Sequence, residues 1–121
     1  MRLSEITTAD QLVLTLARQH FTKVSDRAEA EVLFARGIPG VYAFEEIWWP
    51  QVRNWIRQLD VMPQAADNSG FGGLSACFDA QGNIIDWFTW ESFAGTIYPV
   101  EPNTDLSAAI TAVAQFLRET V

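Results

Sequence analysis

The apolar positions change their period along the chain, and each change marks an element. From Thr8 the pattern is helical: Thr8-Ala-Asp-Gln11 fits a capping box, and Leu12, Leu16, Ala17, His20 and Phe21 recur every three or four residues. This spacing predicts a helix from about residue 8 to about residue 21. Ser25 is placed to cap a second helix with Ala28, Val32 and Ala35 along one side and Gly37 at its exit. In GIPGVYAF, Pro39-Gly40 reads as a turn and VYAF as a short strand. WWPQVRNWIRQL then reads as a third helix: Pro50 suits the first helical position, and Val52, Trp55, Ile56 and Leu59 share a face.

In the second half the period falls to two. Residues 63–73, PQAADNSGFGG, have loop composition, and LSACFD and NIIDWFTWES follow as two strands. They join through Ala80-Gln-Gly-Asn83, where Gly82 can supply a positive φ. GTIYPVEP adds a strand whose prolines suit an edge, and Asn103 or Thr104 caps a last helix carrying Leu106, Ile110, Val113 and Leu117 on one stripe. The predicted fold is α+β in two layers: N-terminal helices, an antiparallel β-meander in the second half, and a C-terminal helix packed on the sheet. Strict alternation in IIDWFTWE puts Ile84, Asp86, Phe88 and Trp90 on one face and Ile85, Trp87, Thr89 and Glu91 on the other. One set is core. The other is either a contact surface or is buried by a further layer.

Composition adds bounds. The chain has 121 residues, 49% of them apolar and 19% charged, enough for one domain over 1–121 with a sizeable core. No apolar run approaches the roughly 20 residues of a membrane span, and Glu5 and Asp10 interrupt the first segment, unlike a secretory leader. Cys77 is the single cysteine, so no internal disulfide forms and a cytoplasmic location is expected. The net charge of −7 is unevenly spread. From Met1 to Arg57 seven acids face seven bases, whereas Gln58 to Leu117 holds seven acids and no lysine or arginine. Such a segment repels phosphate, so nucleic acid and anionic membranes are excluded as partners, while a basic protein surface is favoured. Acidity that serves solubility alone is the plainer alternative.

Catalytic chemistry finds little support. His20 has no cysteine or acid cluster near it in sequence, and Cys77 sits inside a strand between Ala76 and Phe78, where thiols are inert. One histidine and one cysteine do not make a zinc site, and no cofactor or metal is expected. The glycines of SGFGG, Ser69 to Gly73, run from a loop into a strand without a nearby cation, which suits a tight entry into the sheet and not a phosphate cradle. Asp86 and Glu91 are an odd number apart and face opposite ways. Glu45 and Glu46, just before Trp48 and Trp49, fit the positive end of a helix dipole.

The run DNSGFGGLSACFDAQGNIIDWFTWE, residues 67–91, resembles the SMI1/KNR4-like superfamily: a polar glycine-rich loop enters a strand, then come an aspartate, a glycine turn and a strand ending in aromatics and acids. The closing AAITAVAQFLRE is similar to the final helix of that family. The N-terminal half departs from the pattern, and GIPGVYAF only approaches the Leu-Pro and tyrosine signature. The resemblance implies a mixed fold and a non-catalytic protein that neutralises a toxin, often a nuclease. The expectation is therefore an acidic protein-binding module, with Trp87 or Trp90 as aromatic anchor and Asp79, Asp86 and Glu91 pairing with cations of a basic partner. The rivals are a carbohydrate-binding module using Trp48, Trp49 and Tyr98, an enzyme whose site would be a pocket of groups with perturbed pKa values, and a subunit of a larger assembly or homo-oligomer.

Overall fold

Thr8 caps the first helix as its sequence predicts. Its hydroxyl accepts from the Gln11 amide at 3.2 Å, and the Gln11 side chain turns back to accept from the Thr7 amide at 2.8 Å. The computed structural model describes residues 1–50, 53–64, 72–91 and 97–119, with backbone alone at Arg27, Trp49 and 116–119. Helix α1 spans Ala9–Arg18 and ends where His20 takes a φ of 66°. Strand β1 (Thr22–Lys23) and helix α2 (Arg27–Ala35) follow, then β2 (Gly40–Trp49), β3 (Asn54–Pro63), β4 (Gly72–Phe78), β5 (Ile84–Glu91), β6 (Ile97–Pro99) and α3 (Leu106–Glu119). The strands form one sheet in sequence order. β1 pairs parallel to β2, and the other neighbours are antiparallel. The fold is α+β, with the C-terminal helix against the sheet.

The largest departure from the sequence reading is WWPQVRNWIRQL, which is a β-hairpin and not a helix. Glu45 pairs with Gln58, Ile47 with Ile56 and Trp48 with Trp55, and the chain reverses between Pro50 and Arg53, whose φ is 49°. The apolar residues that share a helical face divide between the two faces of the strand, Trp55 and Leu59 on one and Ile56 on the other; Val52 lies outside the described residues. Aromatic and β-branched side chains favour a pleated surface, and the pairing of β2 with β3, ten residues in each strand, satisfies the backbone of both. At the tip, Trp48 and Trp55 meet edge to face with centroids 5.9 Å apart.

Other boundaries shift for local reasons. Asp26, not Ser25, caps α2 by accepting from the Glu29 amide. Ala28, Val32 and Ala35 point outward, while Ala30 and Phe34 are buried. Asp105, not Asn103 or Thr104, caps α3 through the Ala108 amide and also holds the Met1 ammonium at 2.8 Å. The Gly82 turn forms as expected, with φ at 82°. Most of the predicted 63–73 loop, including Ser69 to Phe71 of the glycine cluster, lies outside the described residues, while Gly72 and Gly73 open β4.

The core occupies both faces of the sheet, so the architecture has three layers at one end where two were expected. On one face Leu59, Val61, Leu74, Ala76, Phe78 and Trp87 pack against Leu12 and Leu16 of α1 and Leu106, Ala109 and Ile110 of α3. On the other, α2 brings Ala30 and Phe34 onto Val41 and Met62. Each fully buried leucine contributes about 1.5–3 kcal/mol by leaving water, so the first face carries most of the stability. The α2 cluster stops at the β2–β3 end. Beyond it the second face continues as Glu45, Gln58, Asp60, Ser75 and Phe88, read from the pairing register. β1 pairs only with Val41 and Tyr42, so among the described residues the outer edge of β2 from Ala43 onward has no strand partner. Among the described residues no helix is long and apolar enough to cross a membrane.

Candidate functional site

The half-covered face has a polar floor where a sheet of this length usually carries aliphatics. In β3, Leu59 and Val61 face the main core, which turns Gln58 and Asp60 the other way. Gln58 is 2% exposed, Asp60 5% and Ser75 0%. Such groups are costly to bury unless hydrogen-bonded. Gln58 Nε2 donates to Asp60 Oδ1 at 2.7 Å and to Glu45 Oε1 at 3.2 Å. Ser75 Oγ also donates to Asp60 Oδ1, and Trp90 Nε1 donates to Ser75 Oγ at 2.8 Å. Side chains from four strands are thus linked in one network around the Asp60 carboxylate. Gln58 Oε1, on the far side of the same amide, is buried with no hydrogen-bond partner among the described residues.

Both acids accept from the same Gln58 amide, and Glu45 responds. Burial first, then the charge of Asp60 and a hydrogen bond with it, raise the Glu45 carboxyl from its ordinary 4.5 to about 7. Near neutral pH the pair therefore takes up and releases a proton readily. No lysine or arginine lies within 4 Å of either carboxylate among the described residues. The nearest bases of the sheet serve elsewhere: the Arg57 guanidinium sits 4.6 Å from the Phe44 ring centroid and Lys23 5.6 Å from it, and Phe44 packs toward the main core.

Above this floor lies an open cleft of about 660 Å³, within the size range of small-ligand sites. Ile47, Trp48 and Pro50 wall it on the β2 side, and Phe88, Trp90 and Ile97 wall it on the β5–β6 side. A smaller hollow of about 220 Å³ runs from the same acids toward Ser25 and Asp26 ahead of α2. Trp90 can lie on the sheet because the facing residue is Gly73. A Cβ there would stand 2.7 Å from the Val61 carbonyl and 3.1 Å from Trp90 Cζ2. Glycine is needed at this position by close approach.

The five residues expected to form a contact surface are not brought together. Trp87 is 8% exposed and belongs to the main core. It is unavailable as an anchor, because α1 and α3 cover its side of β5. Glu91 is 4% exposed and lines a separate hollow with Tyr98 beneath Ala112 and Val113 of α3. Asp79 is occupied by the β4–β5 turn: its carboxylate accepts from the Gln81 and Asn83 amides, and these bonds hold it below the usual carboxylate range. Asp86 is exposed beside Cys77 on the half-covered face and accepts from the Trp87 amide. Trp90 alone of the five lines the acidic cleft.

Strict alternation also fails at one point. Phe78 pairs with Ile84 and Cys77 with Asp86, so Ile85 forms a bulge, and Ile84 packs with the core on the Trp87 side. The proposed sugar platform is likewise divided, since Trp48 is on β2 and Tyr98 on β6, the far edge of the sheet; the Trp49 side chain lies outside the described residues. Cys77 is buried, and burial with the nearby Asp86 and Asp60 pushes its thiol up to about 11, which suits an inert group. His20 is exposed at the end of α1. Among the described residues no three histidine, cysteine, aspartate or glutamate side chains gather as a metal would need.

Sequence reasoning missed Glu45, Gln58, Asp60 and Ser75 as a group. The available signal was LDVMP, where an aspartate stands between leucine and valine in a run that buries both faces. Comparison with known proteins returns no matching family model, no matching curated protein and no matching solved structure.

Proposed function

We propose that this protein is a non-catalytic, acidic protein-binding module whose cleft receives a cationic segment of a basic partner, in the manner of an immunity-type inhibitor. The observation that carries the proposal is the Glu45–Asp60 pair, an exposed acid beside a buried one, lining a partly aromatic cleft with no basic side chain within 4 Å among the described residues. A carboxylate pair of this kind repels itself when fully ionised and is relieved by an incoming cation. The seven acids after Gln58, unaccompanied by bases, extend the same field and would speed the encounter with a basic surface. The resemblance to SMI1/KNR4-like proteins points to a toxin, such as a nuclease, as that partner. The buried single thiol fits a cytoplasmic setting.

The test is site-specific photo-crosslinking in the native host from Ile97 on the cleft rim and from Val32 on the outer side of α2, both exposed. Capture of a basic protein from position 97 alone is expected, with an association rate that falls steeply as salt rises. Equal capture from both positions, or a rate indifferent to salt, would overturn the proposal.

A hydrolytic role is the second reading, favoured by the Glu45 carboxyl titrating at about 7 inside a cleft. What weighs against it is that the Gln58 amide lies between the two acids, where paired glycosidase carboxylates would flank a scissile bond. Turnover of an aryl-glycoside panel that disappears in Glu45→Gln would reverse the preference.

A further inference from the structure

Resting on that binding role, we infer that the cleft is a seat for one arginine side chain of the partner, with its guanidinium held between Glu45, Asp60 and Gln58. Acidity alone would accept any cation, so the specific argument lies in Gln58. Its Nε2 is committed to both acids, and the reverse orientation of the amide would set its oxygen against two carboxylates. Oε1 is therefore fixed as an acceptor, and it is buried without a donor. A buried acceptor left unmade costs free energy that an incoming N–H recovers.

Two carboxyl groups and one amide oxygen thus line one region of the cleft. Guanidinium carries five N–H donors in a planar fork and can serve all three at once. An ammonium is a compact, strongly hydrated point charge, and burying it in an apolar cleft removes more solvation. Phe88 and Trp90 border the same cleft, and aromatic surroundings favour a guanidinium over an ammonium. The cleft is wider than one side chain requires, so residues flanking the arginine enter with it.

The experiment titrates the whole protein with three capped pentapeptides, each an acetylated and amidated glycine peptide whose central residue is arginine, lysine or citrulline. Side-chain amide resonances of Gln58 and the indole resonance of Trp90 are followed by NMR. The arginine peptide is expected to shift both signals and to bind about tenfold more tightly than the lysine peptide or better, and citrulline is expected to leave them unmoved. Glu45→Gln, a near-isosteric change at an exposed residue, should weaken the arginine peptide by about tenfold with the fold intact by circular dichroism. Equal binding of lysine and arginine would overturn the seat and leave an acidic docking surface standing. A Gln58 signal unmoved at saturation, or no binding of the arginine peptide, would also overturn it. The broader binding role is judged separately, by the crosslinks from position 97.

Discussion

The face of the sheet beneath α1 and α3 buries Leu59, Val61, Leu74 and Ala76 completely, whereas the opposite face of the same strands buries Gln58, Asp60 and Ser75. Both faces are built by one backbone with one register, so the contrast comes from side-chain parity alone. Burial on the first face is matched by helix: two amphipathic helices supply leucines and isoleucine to fill it. On the second, α2 covers one end and stops, and polar groups continue where apolar ones would lack a cover. The polar groups satisfy each other within the sheet, apart from one amide oxygen. One face is closed by its own chain. The other is finished by hydrogen bonds and left open as the cleft.

The contrast can be sharpened by substitution. Leu74→Ala, at the centre of the closed face, should cost about 2–5 kcal/mol through lost burial and a residual cavity, read as a fall in the denaturation midpoint with unchanged slope. Gly73→Ala, one residue away but on the cleft side, should cost about 1–3 kcal/mol, because the new Cβ meets the Val61 carbonyl and forces Trp90 off the sheet. Its distinguishing mark is a shifted Trp90 indole resonance, which Leu74→Ala on the opposite face should leave nearly unchanged while folded.

The smallest expected effect is the most specific. The folded Glu45 carboxyl is raised from 4.5 to about 7, so the native state holds a proton that the unfolded chain has released. Stability from this group is complete below about pH 4.5 and is lost as pH rises to about 7. The loss is about 1–2 kcal/mol once solvent screening of this partly exposed group is allowed for. Asp79 and Asp105 act with the opposite sign, since hydrogen bonds lower their pKa values and their contribution disappears in acid. Subtracting the profile of Glu45→Gln from that of the natural protein removes these common contributions. The difference should slope only between about pH 4.5 and pH 7, and a flat difference would show that Glu45 and Asp60 do not share a proton.

What could be read from the sequence follows the same division. The β4–β5 hairpin, the edge strand β6 and the described part of the α3 stripe are legible because period and turn residues agree over short distances. Residues 48–59 are not, since Trp55, Ile56 and Leu59 share a helical face, and only pairing with Gly40–Trp49 sets Ile56 on the opposite side of the sheet from Trp55 and Leu59. The surface was sought where two tryptophans and two acids stand close along the chain, yet Trp87 and Glu91 belong inside. The acids that do meet, Glu45 and Asp60, are fifteen positions apart in sequence and are joined across β2 and β3 through Gln58. Only the register reveals that proximity. The segment-wide imbalance of charge was visible in composition, whereas its focus was not.

The outer edge of β2, without a strand partner from Ala43 onward among the described residues, has a consequence for handling the protein. Main-chain groups from Ala43 to Trp49 stand ready to zip onto another extended chain, and Ile47 and Trp48 beside them are exposed. Glu45 and Glu46 on that margin act as gatekeepers, since two copies aligned edge to edge would bring like charges together. Neutralising them, by acid or by substitution, removes the guard and invites self-association at high concentration. Stocks kept above pH 7, where Glu45 is ionised, should therefore stay dispersed longest.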